Sequence, residues 1–420
     1  MKKSKTLIIA FAFPPYIRVG ARRWEIFARE LDALGHEIHV FTSNPLSRFK
    51  NFDDSGYGFK IHRVDARYPE VMIDFKKDLL SRLKYKLFST YYKFTRSGDI
   101  YDYTINWTSY FMNEIPEIIE REAIENVILT GGPYRYFFYA LRLKESFNVN
   151  LILDYRDPWT TRLNYLSNQR QRLLYEEAIE SECLTKADKI LTASEDVKKG
   201  LIEKFGKEYS VKITSIENGI DSSLAYNSVE DLDFLNAKKD KRINLLYFGS
   251  IHCDYDHFIE FTEAIKAIVD EGLFDVGVTF YGNINSFYNQ TVRAVGNVNF
   301  RVEGRISPQE FLSLARTTDY FLYFKPVEHM QNSFGVKFFD YLRGRRQIIL
   351  ISPDGVVKDF LKSENLGVAL NPGEMFQNLK TLFQERVEGK SYVKERQMVE
   401  NKLSSNFQTS RIESLLVKKD

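Results

Sequence analysis

The feature that most constrains this chain is a repeated alternation. Short, uniformly apolar runs give way to stretches in which apolar residues recur every three or four positions. Runs of that kind suit strands buried on both faces, and the helical stretches between them supply the covering layers, so the pattern predicts an α/β fold built on parallel sheets. In the first half the predicted strands are Thr6 to Phe13, Glu37 to Thr42, Asn126 to Thr130, Asn150 to Asp154, Lys189 to Ala193 and Lys212 to Ile216. Ala21 to Leu34 places Ile26, Phe27, Glu30, Leu31 and Leu34 at helical spacing and stops at Gly35, a good helix terminator.

From Asn218 to Arg242 the pattern dissolves into polar and charged residues, and INLLYFG then starts a second series. Its predicted strands are Ile243 to Gly249, Val276 to Tyr281, Asp319 to Phe324 and Gln347 to Ile351, with helices near His257 to Asp270, Pro308 to Arg316 and Ser333 to Leu342. A chain of 420 residues exceeds the size at which one core stops growing. Two doubly wound, Rossmann-like domains are therefore expected, 1–220 and 243–400, with a linker at 221–242, a cleft between them and a closing segment 401–420 that can pack back on the first domain.

Charge narrows the function. Lys and Arg number 59 against 57 Asp and Glu, a net +2 that gives no warrant for a nucleic-acid partner. Cys183 and Cys253 lie far apart without CxxC spacing, which fits a reducing compartment and a cytoplasmic location. The opening MKKSKTLIIAFAFPPY imitates a secretion signal, but its apolar run is short and no small-residue cleavage site follows, so it reads as a first buried strand. No run approaches the ~20 apolar residues of a membrane span.

Several familiar sites are missing from the sequence. No GxGxxG follows a strand and no GxxxxGK[ST] occurs, so neither dinucleotide redox chemistry nor P-loop phosphoryl transfer has its phosphate cradle. His36-Glu37-Ile38-His39 lacks zinc-helix spacing and reads as the start of the second strand. Asp231/Asp233 and Asp254/Asp256 have the D-x-D spacing of some diphosphate-bound metals, a pattern that arises readily by chance in so acidic a chain. His252, Cys253, Asp254 and His257 are dense in ligand types, yet they precede a helix for which Asp256 reads as the cap. No metal is expected.

Taken in order, FPPYIRVGARRWEIFARELDALGHEIHVFT, TGGPYRYFFYALRLK, LDYRDPW, KADKILTASEDVKKGL and ENGID, then LLYFGS, TFYGN, FRVEGRISPQEFLSLARTTDYFLYF and SFGVKFFDYLRGRRQIILIS, resemble the retaining GT-B glycosyltransferases of family four, in particular the bacterial branch that builds surface polysaccharides. The likeness runs over nearly the whole chain. It implies two facing Rossmann-like domains, a nucleotide-sugar donor and a glycan or lipid-linked glycan acceptor. Attack from the donor's front face, with donor phosphate taking the acceptor proton, needs neither a protein nucleophile nor a metal cofactor; it needs stabilisation of the leaving diphosphate.

The resemblance also nominates residues. Gly20, between strand and helix, lets backbone approach donor phosphate, with Arg22 beside it. Lys337 and Asp340 share a helix face, the lysine suited to pyrophosphate and the carboxylate to ribose hydroxyls; Asn332, Ser333, Phe334 and Gly335 open that helix. Two glutamates usual in the family are replaced by Asn332 and Asp340, and the basic pair usual after its strand ending at Gly249 is absent from GSIHCDYD, so diphosphate charge falls to Lys337, Lys325 and Arg305. Arg156 and Asp157, at the end of a buried strand, would orient sugar hydroxyls or steady the leaving phosphate, or simply pin their loop. Gly131, Gly132 and Pro133 form an acceptor-side wall. Rival readings are a nucleotide-sugar epimerase of the same fold and a catalytically silent partner in glycan assembly.

From Asp74 to Arg96 seven basic residues face two acidic ones, interleaved with leucines and aromatics, among them Phe75, Leu79, Leu80, Leu83, Leu87, Phe88, Tyr91, Tyr92 and Phe94, partly at helical spacing. Such a helix either packs its stripe on its own domain or rests on an anionic membrane surface; lipid-linked acceptors in the family favour a peripheral membrane location.

Overall fold

The computed structural model describes the chain apart from residues 1–2, 17–18, 46–52, 74–77, 163, 167, 222–241, 252, 283, 297, 326–333, 353–354, 389–402 and 418–420. It divides into two units, Met1–Asn218 with Ser405–Asp420, and Gly219–Ser404.

In the first unit the strands are β1 Lys5–Ala10, β2 Glu37–Ser43, β3 Lys60–Val64, β4 Asn126–Thr130, β5 Asn150–Tyr155, β6 Lys189–Thr192 and β7 Ile213–Ser215. They form one parallel sheet in the order β3-β2-β1-β4-β5-β6-β7. Its helices are α1 Val19–Ala33, α2 Glu70–Ile73, α3 Leu79–Thr95, α4 Thr108–Met112, α5 Glu114–Glu122, α6 Arg135–Ser146, α7 Arg170–Lys186 and α8 Glu195–Phe205. Because successive strand residues point to opposite faces, a wholly apolar strand must feed two cores. Leu7 and Ile9 enter one with Trp107 and Phe137, while Ile8 between them enters the other with Trp24, Phe27 and Leu31.

The second unit repeats the design. Strands β8 Arg242–Phe248, β9 Asp275–Tyr281, β10 Asn299–Glu303, β11 Tyr320–Phe324, β12 Gln347–Ile351 and β13 Gly367–Leu370 lie parallel in the order β10-β9-β8-β11-β12-β13. They are covered by α9 Tyr255–Asp270, α10 Ser286–Ala294, α11 Pro308–Ala315, α12 Val336–Arg343, α13 Val356–Ser363 and α14 Met375–Val387. Helix α11 starts on a reciprocal cap, the Ser307 hydroxyl accepting from the Glu310 amide at 3.2 Å while the Glu310 carboxylate accepts from the Ser307 amide at 2.6 Å. Asp256 does not cap α9: the cap position is Asp254, and Asp256 lies in the first turn, where an acid suits the helix dipole.

A last helix, α15 Ser405–Glu413, returns to the first unit. Ile412 and Leu416 join the core around Trp24 and Phe27. His36 Nε2 meets Glu413 at 3.1 Å, the Asn150 amide donates to the Leu415 carbonyl at 3.0 Å, and Ser405 and Thr409 both bond Glu30. The architecture is thus the expected pair of doubly wound α/β domains. Three edge strands, β3, β10 and β13, are what it adds.

Candidate functional site

In a doubly wound sheet the strand order reverses at one point, and loops leaving the carboxyl ends of the two strands there diverge to leave a crevice. In the first sheet that point lies between β1 and β4. Gly20, expected in the loop between strand and helix, lies in the first turn of α1 after β1, Gly131 to Pro133 follow β4, and Arg156 and Asp157 follow β5, so the fold brings these candidates to one place. A Cβ on Gly20 would lie 3.0 Å from Arg156 Nε, and one on Gly132 would lie 2.7 Å from an Arg156 terminal nitrogen. Gly132 also has φ +72°, a conformation that disfavours any side chain. Both glycines therefore make room for the guanidinium, which pairs with Asp157 at 2.8 Å while its buried Nε has no hydrogen-bond partner among the described residues. Gly131 donates its amide to the Asp154 carbonyl at 2.7 Å. Arg22 is half-buried on the first turns of α1.

Beneath this group lies an ion pair that the sequence reading missed. Arg23 and Asp154 meet at 3.2 Å with both side chains wholly buried. The Asp154 carboxylate also accepts from Trp24 Nε1 at 2.7 Å and the Thr130 hydroxyl at 3.0 Å, while Arg23 donates onward to the Ile216 carbonyl at 2.9 Å and Asn218 at 3.1 Å. The signal was helical phase: Arg23 and Trp24 share the face of α1 that carries Phe27 and Leu31 into the core.

Two glutamates nearby are held in unusual states. Burial pushes Glu217 up to about 7, with Glu195 and Asp196 adding to it and Arg23 and Arg411 opposing. Burial likewise pushes Glu180 up to about 7 against the hydrogen bonds it accepts from Thr160. A carboxyl raised in the folded state binds a proton that the unfolded chain has released, so its stabilisation is complete below the ordinary glutamate value of 4.5 and is lost as pH rises through 7. Thermal unfolding is therefore expected at a higher temperature at pH 5.5 than at pH 8, and Glu217→Gln should flatten that difference. A pH-independent midpoint in the native chain would contradict the assignment.

In the second sheet the reversal lies between β8 and β11. Gly249 follows β8 with φ +104°, and a side chain there would run into Lys337 on α12. Lys337 Nζ lies 2.7 Å from the Tyr247 hydroxyl and 2.5 Å from the Ser250 carbonyl, and 4.8 Å from the Tyr247 ring centre. Burial without a facing carboxylate among the described residues pushes the ammonium down to about 8. An anion brought here would push it back up. Asp340, the residue suited to ribose hydroxyls, is 4% exposed and lies 3.7 Å from Arg343, because α12 turns this position inward.

Other donor-side candidates divide. Lys325, just past β11, is buried. Arg305 is exposed past β10, two strands away from β8. Phe334 stacks on Phe338 at 4.8 Å and meets Phe360 edge-on at 5.1 Å, which makes it a packing residue in this structure. The Gly335 amide, expected free for phosphate, donates instead to the Tyr323 hydroxyl at 3.1 Å. Asn332 and Ser333 lie outside the described residues, as do Asp231 and Asp233.

Among the described residues one group has metal-ligand types close together, Glu37, His39 and Glu122, at the amino end of β2. Lys5 and Lys60 already pair with its carboxylates at 3.2 and 2.9 Å. A hollow of about 290 Å³ on the β8–β10 face is lined by polar groups including Arg242, Thr279 and Arg301, and by none of the candidates above.

Comparison with known proteins agrees with this geometry. Residues 20–224 match the family model described as Glycosyltransferase Family 4. No curated protein sequence matches significantly. Among solved structures, a glycosyltransferase from Rickettsia africae is 15% identical, covering 99% of this chain and 98% of its own, with a TM-score of 0.60. A sucrose-phosphate synthase from Thermosynechococcus elongatus is 16% identical over 98% of both chains, with a TM-score of 0.62. The Anabaena protein Alr3699/HepE, solved with UDP and glucose, is 11% identical over 98% of both, with a TM-score of 0.60. Among the described residues no helix is long and apolar enough to cross a membrane. With two parallel sheets reversing at glycine-bearing loops and a family-four match over residues 20–224, this chain is a GT-B-fold glycosyltransferase that resembles family four.

Proposed function

We propose that the chain transfers a sugar, with retention at the anomeric carbon and without a metal, from a nucleotide-sugar donor to a lipid-carried glycan acceptor in surface polysaccharide synthesis. The observation that carries the donor reading is Lys337, a half-buried ammonium at the switch point of the second sheet with no carboxylate facing it among the described residues. Its amine suits the diphosphate of the donor, and the UDP and glucose in the Anabaena relative support that ligand class. In this reading Lys337 steadies charge on the departing diphosphate. Retention follows if the acceptor attacks from the leaving-group side and its proton passes to a donor phosphate oxygen.

Purified protein incubated with a panel of nucleotide sugars and a membrane lipid extract tests this. Expected are release of nucleoside diphosphate, a glycosylated lipid whose new linkage keeps the donor's anomeric configuration, and unchanged turnover after exhaustive chelation. Inverted product, or turnover lost to chelator and restored by a divalent ion, would overturn the mechanism; interconversion of donor sugars without transfer would favour an epimerase.

A further inference from the structure

Helix α3 is apolar on two sides. Tyr85, Phe88 and Tyr92 recur three and four residues apart and pack inward with Tyr68, Met72, Ile100 and Ile105. The Tyr92 hydroxyl accepts from the Asn106 amide at 2.8 Å and its ring stacks on Tyr68 at 5.5 Å, so the inward face is fixed. That packing accounts for one stripe only. Leu79, Leu83, Leu87, Tyr91 and Phe94 form a second one, and they are 75%, 58%, 67%, 56% and 86% exposed. Leu80, also exposed, lies within it.

The positions are ordered around the helix. At about 100° per residue the outward stripe spans about 120° of arc, opposite the inward face. Arg82, Lys86 and Lys93 line one flank of it and Lys84 the other, all exposed. With Arg96 and the cap residue Asp78 the stretch holds five positive charges and one negative. Large exposed leucines and phenylalanine in one contiguous stripe signal a missing partner. The flanking charge identifies it. A second protein surface would need an acidic rim of matching shape, whereas anionic lipid headgroups present negative charge on both sides of any inserted stripe and hydrocarbon beneath it.

We infer that α3 is a membrane-docking element, lying in the plane of an anionic bilayer with Leu79, Leu83, Leu87 and Phe94 below the headgroups and Arg82, Lys84, Lys86 and Lys93 among them. The docking rests on α3 alone, and the lipid-carried acceptor proposed above gives it a purpose. Its sidedness follows from charge: the protein meets the leaflet that carries anionic lipid.

Sedimentation of the full chain with vesicles tests both halves. Vesicles of phosphatidylcholine with about a third phosphatidylserine should bind it, with at least tenfold weaker partitioning for Lys84→Glu/Lys86→Glu and for Leu83→Asp/Leu87→Asp, and a steep loss as salt rises. These side chains are exposed, so the variants should keep the native melting midpoint, which checks that they fold. Equal binding to neutral and anionic vesicles, or binding untouched by either double variant, would overturn the inference. So would concentration-dependent self-association abolished by Leu83→Asp/Leu87→Asp, which would assign the stripe to a second copy. Vesicle binding by a chain that transfers no sugar would leave the docking standing and remove the enzymatic reading.

Discussion

Asp154→Ala is expected to destabilise the first unit by about 3–5 kcal/mol, the usual cost of removing one member of a buried ion pair. The reason is what remains. Arg23 keeps its bonds to Ile216 and Asn218 but loses its counter-charge where no water reaches, and Trp24 and Thr130 lose their acceptor. At 2–4 °C per kcal/mol for a unit of this size, the melting midpoint should fall by roughly 6–20 °C. Arg23→Ala should cost a similar amount, and the double variant clearly less than the two together, since removing both charges leaves none stranded. Scanning calorimetry on the full chain reads all three. A loss under about 1 kcal/mol for Asp154→Ala would mean that water enters the site and the pair is not sealed.

Lys337→Ala is expected to weaken binding of nucleoside diphosphates by about 10- to 100-fold, the range of one to two charge-assisted contacts at about 1.5–3 kcal/mol. A sharper signature comes from pH. Because burial holds Lys337 down to about 8, the free protein carries this charge at pH 7 and sheds it above 8, so affinity should decline by about tenfold per unit beyond that point. The variant should lack this slope. Titration calorimetry in buffers of different ionisation heat should show proton uptake on binding at pH 8.5 in the native protein and none in the variant. Equal affinity in both would remove Lys337 from the donor site.

The central strands were legible in the sequence because uniform apolar runs such as LIIA and IILI have no other economical place than a doubly covered sheet. Edge strands were not. KIHRV and NFRVE alternate or lack apolar residues because one side of each meets solvent, and GVAL is only four residues long. At the site, glycines between strand and helix pointed to the right loops, and the structure adds why Gly132 is glycine: the space belongs to Arg156. Charged residues were harder to read, since a sequence does not say which way a helix turns them. Beside the nominated Arg22, the buried contact is made by Arg23, and Asp340, read from spacing as sharing a helix face with Lys337, is turned inward by α12. Helical spacing gave the face that carries Lys337, but not that Gly249 and Tyr247 would enclose it.

The return of α15 to the first unit has a consequence during synthesis. Glu30, His36, Asn126 and Asn150 each have a partner among residues beyond Ser404, and the apolar surface around Trp24 and Phe27 that Ile412 and Leu416 cover stays uncovered on the ribosome while Gly219–Ser404 is translated. At 5–20 residues per second that interval lasts on the order of tens of seconds, long enough for chaperone capture or premature association to compete with completion of the fold.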